Sequence, residues 1–209
     1  MSIKSWPGKL AIAAMLALAP LAAPWPAAAR ATAAPASDPQ ADAGEISRIM
    51  FDVIDFRTLL TKGMKDEMAG DPTFNLRPEW PGLLTDSMIE EFEHDRPALV
   101  GIFAKGLVEN FTREELRQGL IMMRDPEAQR LFAAGAAGQT ELNGAPKFGK
   151  DFIRAANTAS GASFMAKLGR LDSIMKDLQS DFIVELLPGM FRRFGEKAEA
   201  LEARRGGGA

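Results

Sequence analysis

Two adjacent carboxylates, Glu114 and Glu115, stand in the most sharply patterned stretch of this chain, FTREELRQGLIMMRDP at residues 111–126. Paired acids divide general-acid and general-base work when both aim at one substrate and their pKa values diverge. On a helix, neighbouring residues stand about 100° apart around the axis, so these two do not face each other. A second candidate is Glu91-Phe92-Glu93-His94-Asp95, which holds the single histidine. Glu-x-x-His sets a carboxylate and an imidazole on one helix face, but a di-iron bundle needs two such motifs and two further glutamates. One histidine cannot supply them in a monomer. His94 and Asp95 could join a serine in a triad, yet no serine lies in a Gly-x-Ser-x-Gly elbow. A solvated charged face is the plainer account of EEFEHD, with a hydrolase using Glu91, His94 and Asp95 as an alternative. Thioethers are the third candidate, because soft sulfur ligands select copper(I). Met64 and Met68 are one turn apart. The nine methionines beyond residue 36 fall among Leu, Ile and Phe at helical spacing, which points to adaptable core packing. No catalytic, cofactor-binding or metal residue is assigned, and no cofactor is expected.

The elements that carry these residues explain most of the polar pattern. Thr112 and Glu115 have the spacing of a capping box, in which each side chain accepts from the other residue's backbone N–H. Phe111 and Leu116 occupy the two positions of a hydrophobic staple. Glu114 meets the positive end of the helix dipole. Leu116, Leu120 and Met123 then share a face. Asp125 precedes Pro126, so the helix stops there and a new one starts, with Asp125 as its N-cap.

Periodicity at three and four residues predicts a helix over about Glu45–Met68. Residues 70–82, GDPTFNLRPEWPG, read as a loop. Helical pattern resumes near Thr85, is interrupted at Pro97 with Asp95 as a cap, and continues to about Glu109. A short helix carries Leu131 and Phe132, and residues 135–149 are glycine-rich. Further helical patterns carry Phe152 and Ile153, then residues 163–187, then about Gly189–Arg205. No period-two run bounded by hairpin turns occurs. The class expected is all-α, an irregular bundle of about five to seven amphipathic helices.

The N-terminus predicts export. Residues 1–9 carry Lys4 and Lys9 and no acid, residues 10–19 are uncharged and apolar, and small residues follow. These are the three regions of a cleavable signal peptide, residues 1–36, with cleavage near 29, 33 or 36. The apolar run is too short to span a bilayer, which takes about 20 residues. Cleavage removes Lys4, Lys9 and Arg30 and no acid, so the formal charge of −3 becomes −6. An acidic product gives no basic face for nucleic acid. The absence of cysteine excludes disulfides, thiolate metal sites, a cysteine nucleophile and a lipid-anchored cysteine. The organisation expected is a flexible leader at 37–44, one helical domain at 45–205 and a disordered tail at 206–209. The last helix mixes Phe191 and Phe194 with Arg192, Arg193, Lys197, Arg204 and Arg205, but Glu196, Glu199 and Glu202 dilute any pull toward anionic lipid.

Phe111, Thr112, Glu114, Glu115 and Leu116, together with TASGASFMAKLGRLDSIMKDLQSDFIVELLP from Thr158, carry a resemblance. Over roughly residues 95–195 the chain resembles a bacterial exported family of all-helical domains of unknown function, marked by an FTxEEL helix start and a Met/Leu-rich C-terminal helix. It departs from that pattern at residues 126–155, which read as an inserted helical segment or a degenerate repeat. The resemblance implies a periplasmic or secreted helical domain and no activity. The function expected is a non-enzymatic periplasmic binding or scaffolding module. A carrier holding a small apolar ligand in the bundle core is the runner-up. An unknown protein partner and self-association stay open, whereas nucleic acid and a stable membrane anchor are not expected.

Overall fold

The computed structural model describes residues 38–69, 72–139 and 144–206. The expected signal peptide at 1–36 and residues 207–209 of the expected tail lie outside these described residues. Within them the fold is all-α, with ten helical segments and no strand. They are α1 (Pro39–Val53), α2 (Phe56–Met68), α3 (Pro72–Asn75), α4 (Trp80–His94), α5 (Arg96–Asn110), α6 (Arg113–Met123), α7 (Pro126–Ala136), α8 (Lys150–Ala156), α9 (Ala159–Leu168) and α10 (Leu171–Gly206). None of the described helices is long and apolar enough to cross a membrane.

Caps divide the chain more finely than its apolar stripes suggest. The expected helix at Glu45–Met68 is two helices, because Asp55 caps a new one. Its carboxylate accepts from the Thr58 N–H at 3.0 Å and from the Thr58 hydroxyl at 2.6 Å. The flexible leader expected at 37–44 is corrected: residues 39–44 form the first turns of α1. Asp38 accepts from the Gln40 N–H at 3.0 Å, and Pro39 sits where a missing N–H costs nothing. Ala43 is fully buried, which anchors this turn. The loop expected at 70–82 likewise contains α3 and the start of α4, with Pro81 in the first turn.

The break expected at Pro188 is absent, and α10 runs through it for 36 residues. A proline removes one helix hydrogen bond, here the one to the Val184 carbonyl four residues back. Pro188 and Val184 lie on the exposed side of α10, where water can take up the freed carbonyl. Gly206, expected in the tail, closes this helix.

The described residues gather into two compact units. Residues 55–103 and 175–206 form one, and residues 38–54 and 104–174 form the other. Periodicity marks a buried face but carries no label for the core that the face joins. In the second unit α6 is central and packs against α1, α7, α8 and α9. Leu116, Leu120, Met122 and Met123 of α6 are buried. Phe111 and Phe164 meet with ring centroids 5.1 Å apart. Gly119 gives the Phe164 ring its place, since a β-carbon there would overlap it. Residues 126–139 and 144–155 belong to this packing: Phe132 of α7 and Phe152 of α8 are both buried. In the first unit α2 packs on α4, with Phe56 and Phe92 4.8 Å apart, and Trp80 meets Phe194 of α10 edge-on.

Candidate functional site

The stretch 111–126 forms the structural device that its spacing predicts. Thr112 Oγ1 accepts from the Glu115 N–H at 3.3 Å, and Glu115 Oε2 accepts from the Thr112 N–H at 2.7 Å. Phe111 and Leu116 are both buried. Asp125 caps α7 by accepting from the N–H groups of Glu127 and Ala128. Its other oxygen accepts from the Gly149 N–H at 2.7 Å and ties down the approach to α8. Arg124 makes a two-pronged bond to Glu45 of α1, both contacts at 2.8 Å, and holds that carboxyl below its usual range.

Glu115 does more than cap. It is 5 % exposed, and α9 brings Ser163 and Lys167, one turn apart, onto its carboxylate. The Ser163 hydroxyl donates at 2.5 Å and the Lys167 ammonium at 2.7 Å. Lys167 also donates to the Asn110 carbonyl at 3.0 Å, joining α9 to the end of α5. Burial alone would raise the Glu115 carboxyl. Donors from Lys167, Ser163 and Thr112 outweigh it and hold the pKa down at about 2. A carboxylate held this low with three donors on it is poorly placed to exchange protons. Glu115 is a tie between helices. Sequence spacing could find its partner three residues away but had no signal for the two on α9.

Glu91, His94 and Asp95 do come together, with one donor atom from each lying within 4.8 Å of the others. Their surroundings differ. The His94 ring is 65 % exposed and bonds Asp95 at 2.7 Å, whereas Glu91 is buried. The Glu91 carboxylate is already paired with the Arg193 guanidinium of α10. A cation would have to displace or share that partner. Ser87, one turn before Glu91, is fully buried and gives its hydroxyl to the Leu83 carbonyl at 2.7 Å. It is not presented to His94 as a nucleophile.

The methionines divide. Met50, Met122, Met123 and Met190 are in the core, whereas Met64 and Met68 are half-buried on α2. Three bases of the C-terminal helix pair with acids of the same unit. Arg193 binds Glu91, Lys197 binds Glu90 at 2.7 Å, and Arg205 binds Glu79 at 3.0 Å.

The other side of α10 is unlike the rest. Val184 is 70 % exposed, Phe191 is 56 % exposed, and Pro188 between them is exposed. Spacings of four and three put the three residues on one face. Asp181 and Glu185 lie beside this strip toward its N-terminal end, and Arg192 toward its C-terminal end. The sequence marks Phe191, but as part of a basic amphipathic helix. Val184 and Pro188 were missed because they sit inside a run of apolar residues whose inward and outward faces look alike. No family model matches the chain, and no curated protein or solved structure matches it.

Proposed function

We propose that the protein is an exported, non-enzymatic helical module that binds another polypeptide through the outer face of α10. The observation that carries this reading is the apolar strip of Val184, Pro188 and Phe191 on an otherwise charged helix. Large apolar side chains grouped on an exposed helix face mark an interaction surface. Export rests on the three-part N-terminal pattern, and the likeness to an exported helical family is in keeping with it. The engagement of Glu91 with Arg193 and the exposure of His94 speak against hydrolytic chemistry at that cluster.

The test is a photo-cross-linking residue placed at Phe191 and, for comparison, at exposed Lys105 of α5, in cells producing the full chain. Cross-linked species that depend on position 191 and fractionate with the periplasm are expected. Recovery of uncross-linked monomer alone, from either position, would sink the binding reading. N-terminal sequencing of the same material should begin near residue 30, 34 or 37. An intact N-terminus on protein held in the cytoplasm would remove the exported part of the proposal.

A further inference from the structure

We infer that residues 196–206 are an electrostatic strap. These last turns of α10 are hinged at Gly195, are clamped by three ion pairs, and lift off and unwind when salt screens those pairs, while the helix before Gly195 stays in place. Val184, Pro188 and Phe191 all precede the hinge, so the inference stands apart from the binding reading.

The means of attachment changes along α10. Leu178, Phe182, Leu186 and Met190, four residues apart, are buried and fasten the helix through its apolar face. Among the described residues none after Met190 is buried. Two contacts carry the anchorage a little further. Arg193 pairs with the buried Glu91, and Phe194 meets Trp80 edge-on at 5.6 Å. A pair with a buried member is screened much less than an exposed one.

Past that point the attachment is ionic. Lys197 binds Glu90 at 2.7 Å, Arg205 binds Glu79 at 3.0 Å, and Arg77 binds Glu202. In each pair at least one side chain is half exposed or more, so each is weak and sensitive to salt. Leu201 is the one large apolar residue of the segment, and it is only half-buried. Gly195 stands where the two regimes meet. Its β-position is open, so no close approach calls for a glycine, and the backbone freedom it adds weakens the helix there. Once released, residues 196–206 are shorter than the roughly 12–15 residues that an isolated helix needs in water. Release therefore means unwinding. It leaves Arg77, Glu79 and Glu90 without their partners on α10, so access to this charged edge at the start and along the side of α4 follows ionic strength.

Hydrogen exchange of the purified full chain, resolved by segment, tests the strap. Salt is raised from about 0.01 M to about 1 M, where the screening length falls from roughly 30 Å to roughly 3 Å. Amides of residues 196–206 should exchange about tenfold faster or more, whereas those of 182–190 keep their protection in the same sample. Lys197→Glu should open the strap already at low salt, and adding Glu90→Lys should close it again, because the pair regains opposite charge. Gly195→Ala should slow exchange in the strap without changing 182–190. Strap amides that are indifferent to salt overturn the inference, as does a strap that opens only together with 182–190. Failure of Glu90→Lys to restore protection in Lys197→Glu overturns the clamp, and unchanged exchange in Gly195→Ala overturns the hinge.

Discussion

Gly189 of α10 lies directly under the Glu91 carboxylate of α4, so that a β-carbon on residue 189 would overlap the acid. The glycine is what lets a buried carboxylate reach across to Arg193. A glycine inside a helix ordinarily costs about 1 kcal/mol relative to alanine. At this position the overlap outweighs that gain. Gly189→Ala is expected to destabilise the protein by roughly 1–3 kcal/mol through overpacking. Gly101 of α5, which has open space at its β-position, provides the contrast. Gly101→Ala should stabilise by roughly 0.5–1 kcal/mol. Urea midpoints at unchanged m value measure both. Equal shifts in the same direction would show that the close approach of Gly189 to Glu91 does not matter.

The pair that Gly189 admits should behave as a unit. Glu91 is buried, and the Arg193 side chain is 22 % exposed. Removing one partner leaves a charge in poor surroundings, whereas removing both leaves none. Arg193→Met is expected to destabilise the fold clearly, because it leaves the buried Glu91 carboxylate without its partner. Glu91→Leu with Arg193→Met should cost clearly less than the sum of the single changes. A double-mutant cycle by chemical denaturation gives the coupling. Strict additivity would mean that the two groups are independently solvated.

These two relationships show what local pattern conveys and what it omits. The box at Thr112 and Glu115 and the cap at Asp125 were readable because every partner lies within three residues. The cap at Asp55 has the same local grammar, Asp followed three residues later by Thr58, but it hides inside a continuous apolar stripe. Glu91 carried a hint, since it falls between Met88 and Phe92 on the apolar side of α4, where a charge needs a partner. No spacing rule could point 102 residues on to Arg193. Gly119 inside α6 was a comparable hint of close approach without the identity of Phe164. Pro188 misled in the other direction, because the rule that proline ends helices assumes a freed carbonyl with nothing to bond. The face with the strongest claim to function, Val184 to Phe191, was unreadable because burial is decided by neighbours that composition does not name.

Thr112 bears on how far the box contributes by itself. Its hydroxyl accepts from the Glu115 N–H, and Thr112→Ala leaves that donor without a partner. The cost expected is about 1 kcal/mol. Thr112→Ser should retain most of it. Thermal midpoints of the three proteins check this, and cross-linking from position 191 in Thr112→Ala should match the parent, since the cap is not part of the α10 face. A loss several times larger would mean that the threonine supports more than its own helix end.

The sharpest pH dependence should come from Glu115. Its carboxyl, ordinarily near 4.5, is held at about 2 in the folded protein by Lys167, Ser163 and Thr112. Once the chain unfolds these donors are lost, and the carboxyl takes up a proton at a higher pH than in the folded state. Between those two values the unfolded chain binds more protons, so acid favours unfolding. The contribution is therefore complete above about 4.5 and is lost as the pH falls toward about 2. Other carboxylates, Glu45 among them, are also depressed, so the parent's profile mixes several groups. The difference between parent and Glu115→Gln isolates this one. Urea midpoints between pH 7 and pH 2 should show the variant less stable at neutral pH and the gap closing on acidification. Lys167→Met should narrow the same gap by removing the strongest donor while leaving the acid in place. Parallel profiles for parent and Glu115→Gln would mean that the carboxylate is not held by α9 as described.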